Sequence, residues 1–69
     1  MVNEPGIRKE IEYREQSARE AYNKAMALPY GTERTIELAK ASGQANFADG
    51  LLWVLGEDRS IHDEIYNSY

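Results

Sequence analysis

His62 is the one imidazole in a chain of 69 residues, and it stands beside two acids, Asp63 and Glu64. A nucleophile–base pair would need a Ser or Thr held against that ring by a rigid scaffold. The segment that carries it, "EDRSIHDEIYNSY", is short and terminal, so His62 reads as a solvent-facing or interface side chain. Glu57, Asp58, Asp63 and Glu64 lack the alternating oxygen-ligand spacing of a calcium loop. With no cysteine and a single histidine, thiolate and imidazole-rich metal sites are not expected. "GTER", Gly31 to Arg34, fits a helix start better than a phosphate-cradling loop. These residues point away from an enzyme, and no cofactor is expected.

Binding chemistry is better represented. Five tyrosines, one Trp and one Phe are present, and several lie near charges: Tyr13 beside Arg14, Tyr22 near Arg19, Tyr30 in a turn. Aromatic faces with guanidinium groups can stack a base and hold a phosphate. At helical spacing the same aromatics serve equally as core or interface anchors. Arg14, Tyr22, Tyr30 and Lys40 are the candidate ligand-binding residues.

The elements that must position them are helices. Ile7, Ile11, Ala18, Ala21, Ala25 and Leu28 follow a 4-3 spacing, with Arg14 in the one missing place and Tyr22 at the edge of the stripe. Arg14 is therefore either a snorkelling arginine whose stem covers the seam or a buried cation awaiting an anion. Asn3 or Glu4 can cap this helix, Pro5 suits its first turn, and four acid-first i,i+4 pairs line its other face: Glu4–Arg8, Glu10–Arg14, Glu15–Arg19 and Glu20–Lys24. The spacing predicts a helix over about 4–28.

"LPYGTER" then stops one helix and starts another, with Thr32 as the expected N-cap, and predicts a second helix over about 33–55 ended by Gly56. The short connection makes the two an antiparallel hairpin. Ser60 with Asp63 three later is a capping pattern for a third helix over about 60–68, with Ile61, Ile65 and Tyr69 on one side. That helix either folds back over the open end of the hairpin, reaches to a neighbouring subunit, or frays.

The second helix projects two apolar faces. One holds Ile36, Ala39, Gly43, Phe47, Gly50 and Val54; the other holds Leu38, Ala41, Ala45, Ala48, Leu52 and Leu55. Between them run Glu33, Glu37, Lys40 and Gln44 on one side, and Thr35, Ser42, Asn46, Asp49 and Trp53 on the other. A lone hairpin needs one buried face per helix, so a second calls for a further layer. Each interior glycine costs about 1 kcal/mol of helix stability relative to alanine. Close approach of the first helix's alanines, of another subunit's helix or of a flat ligand is the expected compensation. Gly43, Phe47, Gly50, Trp53 and Val54 are the candidate interface residues.

A chain this short, without disulfides, sits near the size where one core is only marginally stabilising, which favours self-association. The net charge is −4, with Lys40 and Arg59 the only basic residues after position 34. General DNA or RNA binding would show the opposite bias. No apolar run is long enough to span a membrane, and "MVNEPGIRKE" lacks a signal peptide's apolar stretch, so the chain is read as cytosolic.

The run "LAKASGQANFADGLLWVLGE", Leu38 to Glu57, resembles the second helix of small phage-encoded helical proteins, in particular the anti-CBASS sponge family. The likeness rests on an alanine-rich entry, Gln44 shortly before Phe47, and an apolar exit; here the glycine follows Phe47, at Gly50, rather than preceding it. It implies a short helical hairpin that oligomerises and sequesters a cyclic oligonucleotide immune signal between subunits, in the host cytosol. No binding residue is carried over from it. The expectation is thus an all-α hairpin plus a short C-terminal helix, assembled as a homo-oligomeric bundle and acting without catalysis. The alternative is a protein-directed inhibitor or assembly factor that docks an apolar helix face on a host or virion protein.

Overall fold

The computed structural model describes residues 3–67 and contains three helices: α1 (Glu4–Ala27), α2 (Thr32–Val54) and α3 (Ile61–Tyr66). The two long helices pack together as a hairpin. Their antiparallel register is read from partners that reflect about the turn: Arg8 with Glu57 (2.7 Å), Arg14 with Gln44 (2.9 Å) and Lys24 with Glu37 (3.5 Å).

Asn3 caps α1, its Oδ1 accepting from the Gly6 N–H, with Pro5 in the first turn. The pairs Glu4–Arg8, Glu10–Arg14 and Glu15–Arg19 form at 2.9, 2.7 and 3.0 Å. Lys24 reaches across the seam to Glu37, and Glu20 accepts from Gln16. The expected cap of α2 needs correction. Gly31 is the N-cap and Thr32 the first helical residue. Gly31 holds φ 156°, ψ −171°, a nearly extended region open essentially to glycine alone. At its other end α2 closes in a Schellman motif: the N–H of Gly56 (φ 77°) donates to Trp53 O and that of Glu57 to Leu52 O.

The core is small and rich in alanine. Ile11, Ala18, Ala45, Ala48 and Leu52 form one cluster with Ile61 and Ile65 of α3, while Ala25 and Ala41 are buried nearer the turn. Among the described residues, Leu52 and Ile61 are the large, fully buried side chains. α3 does not cover the open end of the hairpin. It lies along one side, from the level of Asp49, which binds its first N–H groups, to the level of Leu38, whose carbonyl accepts from the Tyr66 hydroxyl at 3.1 Å. Ser60 caps α3 by accepting from the Asp63 N–H. Ser68 and Tyr69, expected on this helix, lie outside the described residues.

Of the two apolar faces of α2, Ala41, Ala45, Ala48 and Leu52 pack inward. Every member of the other, Ile36 through Val54, is exposed. The first helix's alanines are therefore not the partner of the glycines, because they are spent on the opposite side of α2. A Cβ placed on Gly43 or Gly50 would meet nothing within 4 Å. The molecule measures 45 × 21 × 13 Å, one helix diameter thick in its thinnest direction.

Candidate functional site

The four candidate ligand residues divide among three places. Arg14 stands half-buried where α1 meets α2. Its Nε donates to Glu10 (2.7 Å), its Nη1 to Gln44 (2.9 Å), and its guanidinium lies 4.2 Å from the centre of the Phe47 ring. It does cover the seam, and it does so as the cation of a built cluster.

Lys40 is one step along the same flank. Its Nζ donates to Glu37 at 3.3 Å, and Lys24 approaches the same carboxylate at 3.5 Å. Ser17, Ala21, Lys24, Glu37, Lys40 and Gln44 line an open groove of about 280 Å³ between the long helices. Glu37 is 8% exposed. Burial pushes its carboxyl up, but the hydrogen bond and charge of Lys40 and the charge of Lys24 outweigh that and hold it below the usual carboxylate range. The sequence places Glu37 on a polar stripe and does not announce its burial. Reflection about the turn carried the signal, since positions 24 and 37 lie almost equally far from Tyr30.

Tyr22 lies elsewhere. It packs edge-on against Tyr66 (5.0 Å), which stacks on His62 (4.6 Å), on the side of the hairpin covered by α3. The Tyr22–Tyr66 contact seats α3 on α1, His62 stacks on Tyr66 within α3, and burial pushes the Tyr66 phenol above its ordinary value. Tyr30 stands in the turn, 90% exposed, with the Arg34 guanidinium 4.1 Å above its ring. Arg14 and Lys40 are brought to one flank; Tyr22 and Tyr30 are not brought to them.

The candidate interface residues share one surface. Gly43, Phe47, Gly50 and Val54 lie on the outer face of α2, and Trp53, 80% exposed, stands at its edge. The face bears no charged residue. Phe47 ties it to the Arg14 cluster, and Lys40 borders it on the same side, so an apolar strip with two bare patches of backbone runs beside two cations. Such a strip can receive a helix or a flat aromatic group, with an anion drawn to its rim. By sequence position Asp49 falls on the polar stripe beside this face. It turns instead to α3, accepting from Ser60 Oγ (3.1 Å) and from the N–H groups of Ile61 and His62.

Among the described residues, no group of three or more His, Asp or Glu is placed to hold a metal ion, and no helix is long and apolar enough to cross a membrane. The chain matches no family model, no curated protein and no solved structure.

Proposed function

We propose that this protein is a non-enzymatic binding protein that assembles with copies of itself and sequesters an anionic aromatic ligand where the copies meet. A cyclic oligonucleotide immune signal is the ligand implied by the resemblance of Leu38–Glu57, which makes the chain a phage-type anti-defence sponge. One observation carries the reading: the outer face of α2 is apolar, uncharged and unpartnered, and the cations Arg14 and Lys40 stand at its rim. Lys24 and Lys40 are more than 60% exposed, and each ammonium has N–H groups beyond those facing Glu37 to offer a phosphate at the rim.

A thermal-shift screen with cyclic di- and trinucleotides tests the ligand. Saturation at 100 times Kd adds about 2.7 kcal/mol to stability, and the variant combining Arg14→Gln with Lys40→Gln loses that shift. No shift with any nucleotide sinks the sponge. The continuity of the apolar face then favours the second reading, in which the same surface docks on a host or virion protein, and recovery of one defined partner by pull-down supports it.

A further inference from the structure

The outer face of α2 has an internal symmetry that specifies how it would meet a second copy. Its residues are Ile36, Ala39, Gly43, Phe47, Gly50 and Val54. Reflection about position 45 exchanges Ile36 with Val54 and Gly43 with Phe47, and brings Ala39 to within one residue of Gly50. The exchange is also one of shape: the bulky ring pairs with a bare backbone, the small residues pair with each other, and the branched aliphatics pair at the two ends.

We infer that two copies of this chain pair through the outer faces of α2, antiparallel about a two-fold axis near position 45, with Phe47 of each copy seated over the partner's Gly43. This rests on the self-association proposed above and adds its geometry. A two-fold interface must be self-complementary, and this face meets that condition when the helices run oppositely, because each exchanged position finds a partner of complementary size. A parallel pairing would set Phe47 on the partner's Phe47 and leave the glycines facing each other across a void. It would also align the two helix dipoles instead of opposing them.

The glycines now have a reason. Each costs about 1 kcal/mol of helix stability, and with nothing within 4 Å of either position no contact inside the chain compensates. Charge agrees as well. The face has no charged residue, and Lys40 comes opposite the partner's Gly50 and Leu51, not opposite a like charge.

The available area reaches what a specific pair needs when the whole face is covered. Trp53, 80% exposed, and Phe47, 49% exposed, together leave about 300 Å² of aromatic surface in water per copy. With Ile36 and Val54, each about half exposed, and the small residues between them, full coverage of two such faces removes roughly 1,000 Å² from water, the lower bound for a specific interface.

The chain contains no cysteine, which makes oxidative cross-linking a clean test. Ile36→Cys and Val54→Cys are made singly, and each is oxidised with copper phenanthroline, alone and mixed. In the antiparallel pair the two copies of position 36 lie about 27 Å apart, 18 residues at 1.5 Å each, so neither variant links to itself and the mixture gives the 36–54 heterodimer. A 36–36 or 54–54 link overturns the register while leaving self-association standing. Light scattering on the unmodified protein separates the two claims, since a monomer at micromolar concentration removes the self-association itself. Gly43→Leu fills the seat of Phe47 and weakens association at least tenfold while the helical circular-dichroism signal is kept. Association undiminished in that variant also overturns the inference.

Discussion

Asp49 joins α3 to α2 with a single carboxylate, which serves the Ser60 hydroxyl and two backbone N–H groups of the α3 first turn. Those N–H groups have no partner within their own helix, so the acid acts as a cap supplied from another element. Asp49→Ala is expected to cost about 0.5–2 kcal/mol, the range for loss of a helix cap, and to lower the Tm by roughly 2–16 °C. A far-UV melt checks it, and an unchanged Tm would show that Ser60 alone suffices. The sequence made half of this arrangement legible. Ser60 and Asp63 announce their cap by local spacing. Asp49 does not, because its partners lie more than ten residues away and its helical projection shows only a polar residue on a polar stripe. Arg14 is intermediate, since its place in the seam follows from periodicity whereas Gln44 and Phe47 become its neighbours only once the hairpin closes.

Among the elements, α3 contributes most for its length. It has six residues, far too few to persist alone in water, yet it supplies Ile61 and Ile65 to a core otherwise made largely of alanine. Arg59, just before it, binds Glu15 of α1 at 3.1 Å and Glu64 of α3 at 2.7 Å. Replacing Ile61 by alanine costs about 2–5 kcal/mol, and a chain of 69 residues has only about 3–10 kcal/mol in total. Ile61→Ala is therefore expected to lower the urea midpoint of the whole hairpin and not merely to release α3; an unaltered midpoint would mean that α1 and α2 are stable as a pair. The two long helices and their turn were readable from apolar spacing, Pro29, Gly31 and Gly56. The path of α3 was not, because six residues of amphipathic helix, fewer than two turns, fit several surfaces equally well. The Tyr22–Tyr66 contact, the Tyr66 hydroxyl on the Leu38 carbonyl, the Arg59–Glu15 pair and the reach of Asp49 select the one it takes.

At the scale of the whole molecule, charge sets the conditions under which the slab holds. The Arg59 hydrogen bond holds the Glu64 carboxyl below its ordinary value, and Glu37 is lowered by its two lysines. A carboxyl depressed in the folded state stabilises above its unfolded value and loses that contribution as pH falls through the folded one. Tyr66 is raised, chiefly by burial, so its contribution is complete below the ordinary phenol value and is lost as pH rises through the raised one. Stability is thus expected to be level between about pH 5 and 9 and to fall outside those limits. Urea midpoints measured across pH check this, and a loss that begins near pH 6 would contradict it. The thinness of the slab was legible in outline: two apolar faces on α2 and one hairpin's worth of chain leave one face uncovered. Which face stays outside was not legible, since both are apolar, and packing on the alanines of α1 decides it.

The exposure of Trp53 has a practical consequence. The chain's one tryptophan already stands in water in the folded monomer, so its emission wavelength changes little when that monomer unfolds and is a poor gauge of folding. Docking on the α2 outer face dehydrates the indole and moves its emission to shorter wavelength. The molecule thus carries a native optical label for association, placed at the edge of the surface in question and needing no dye.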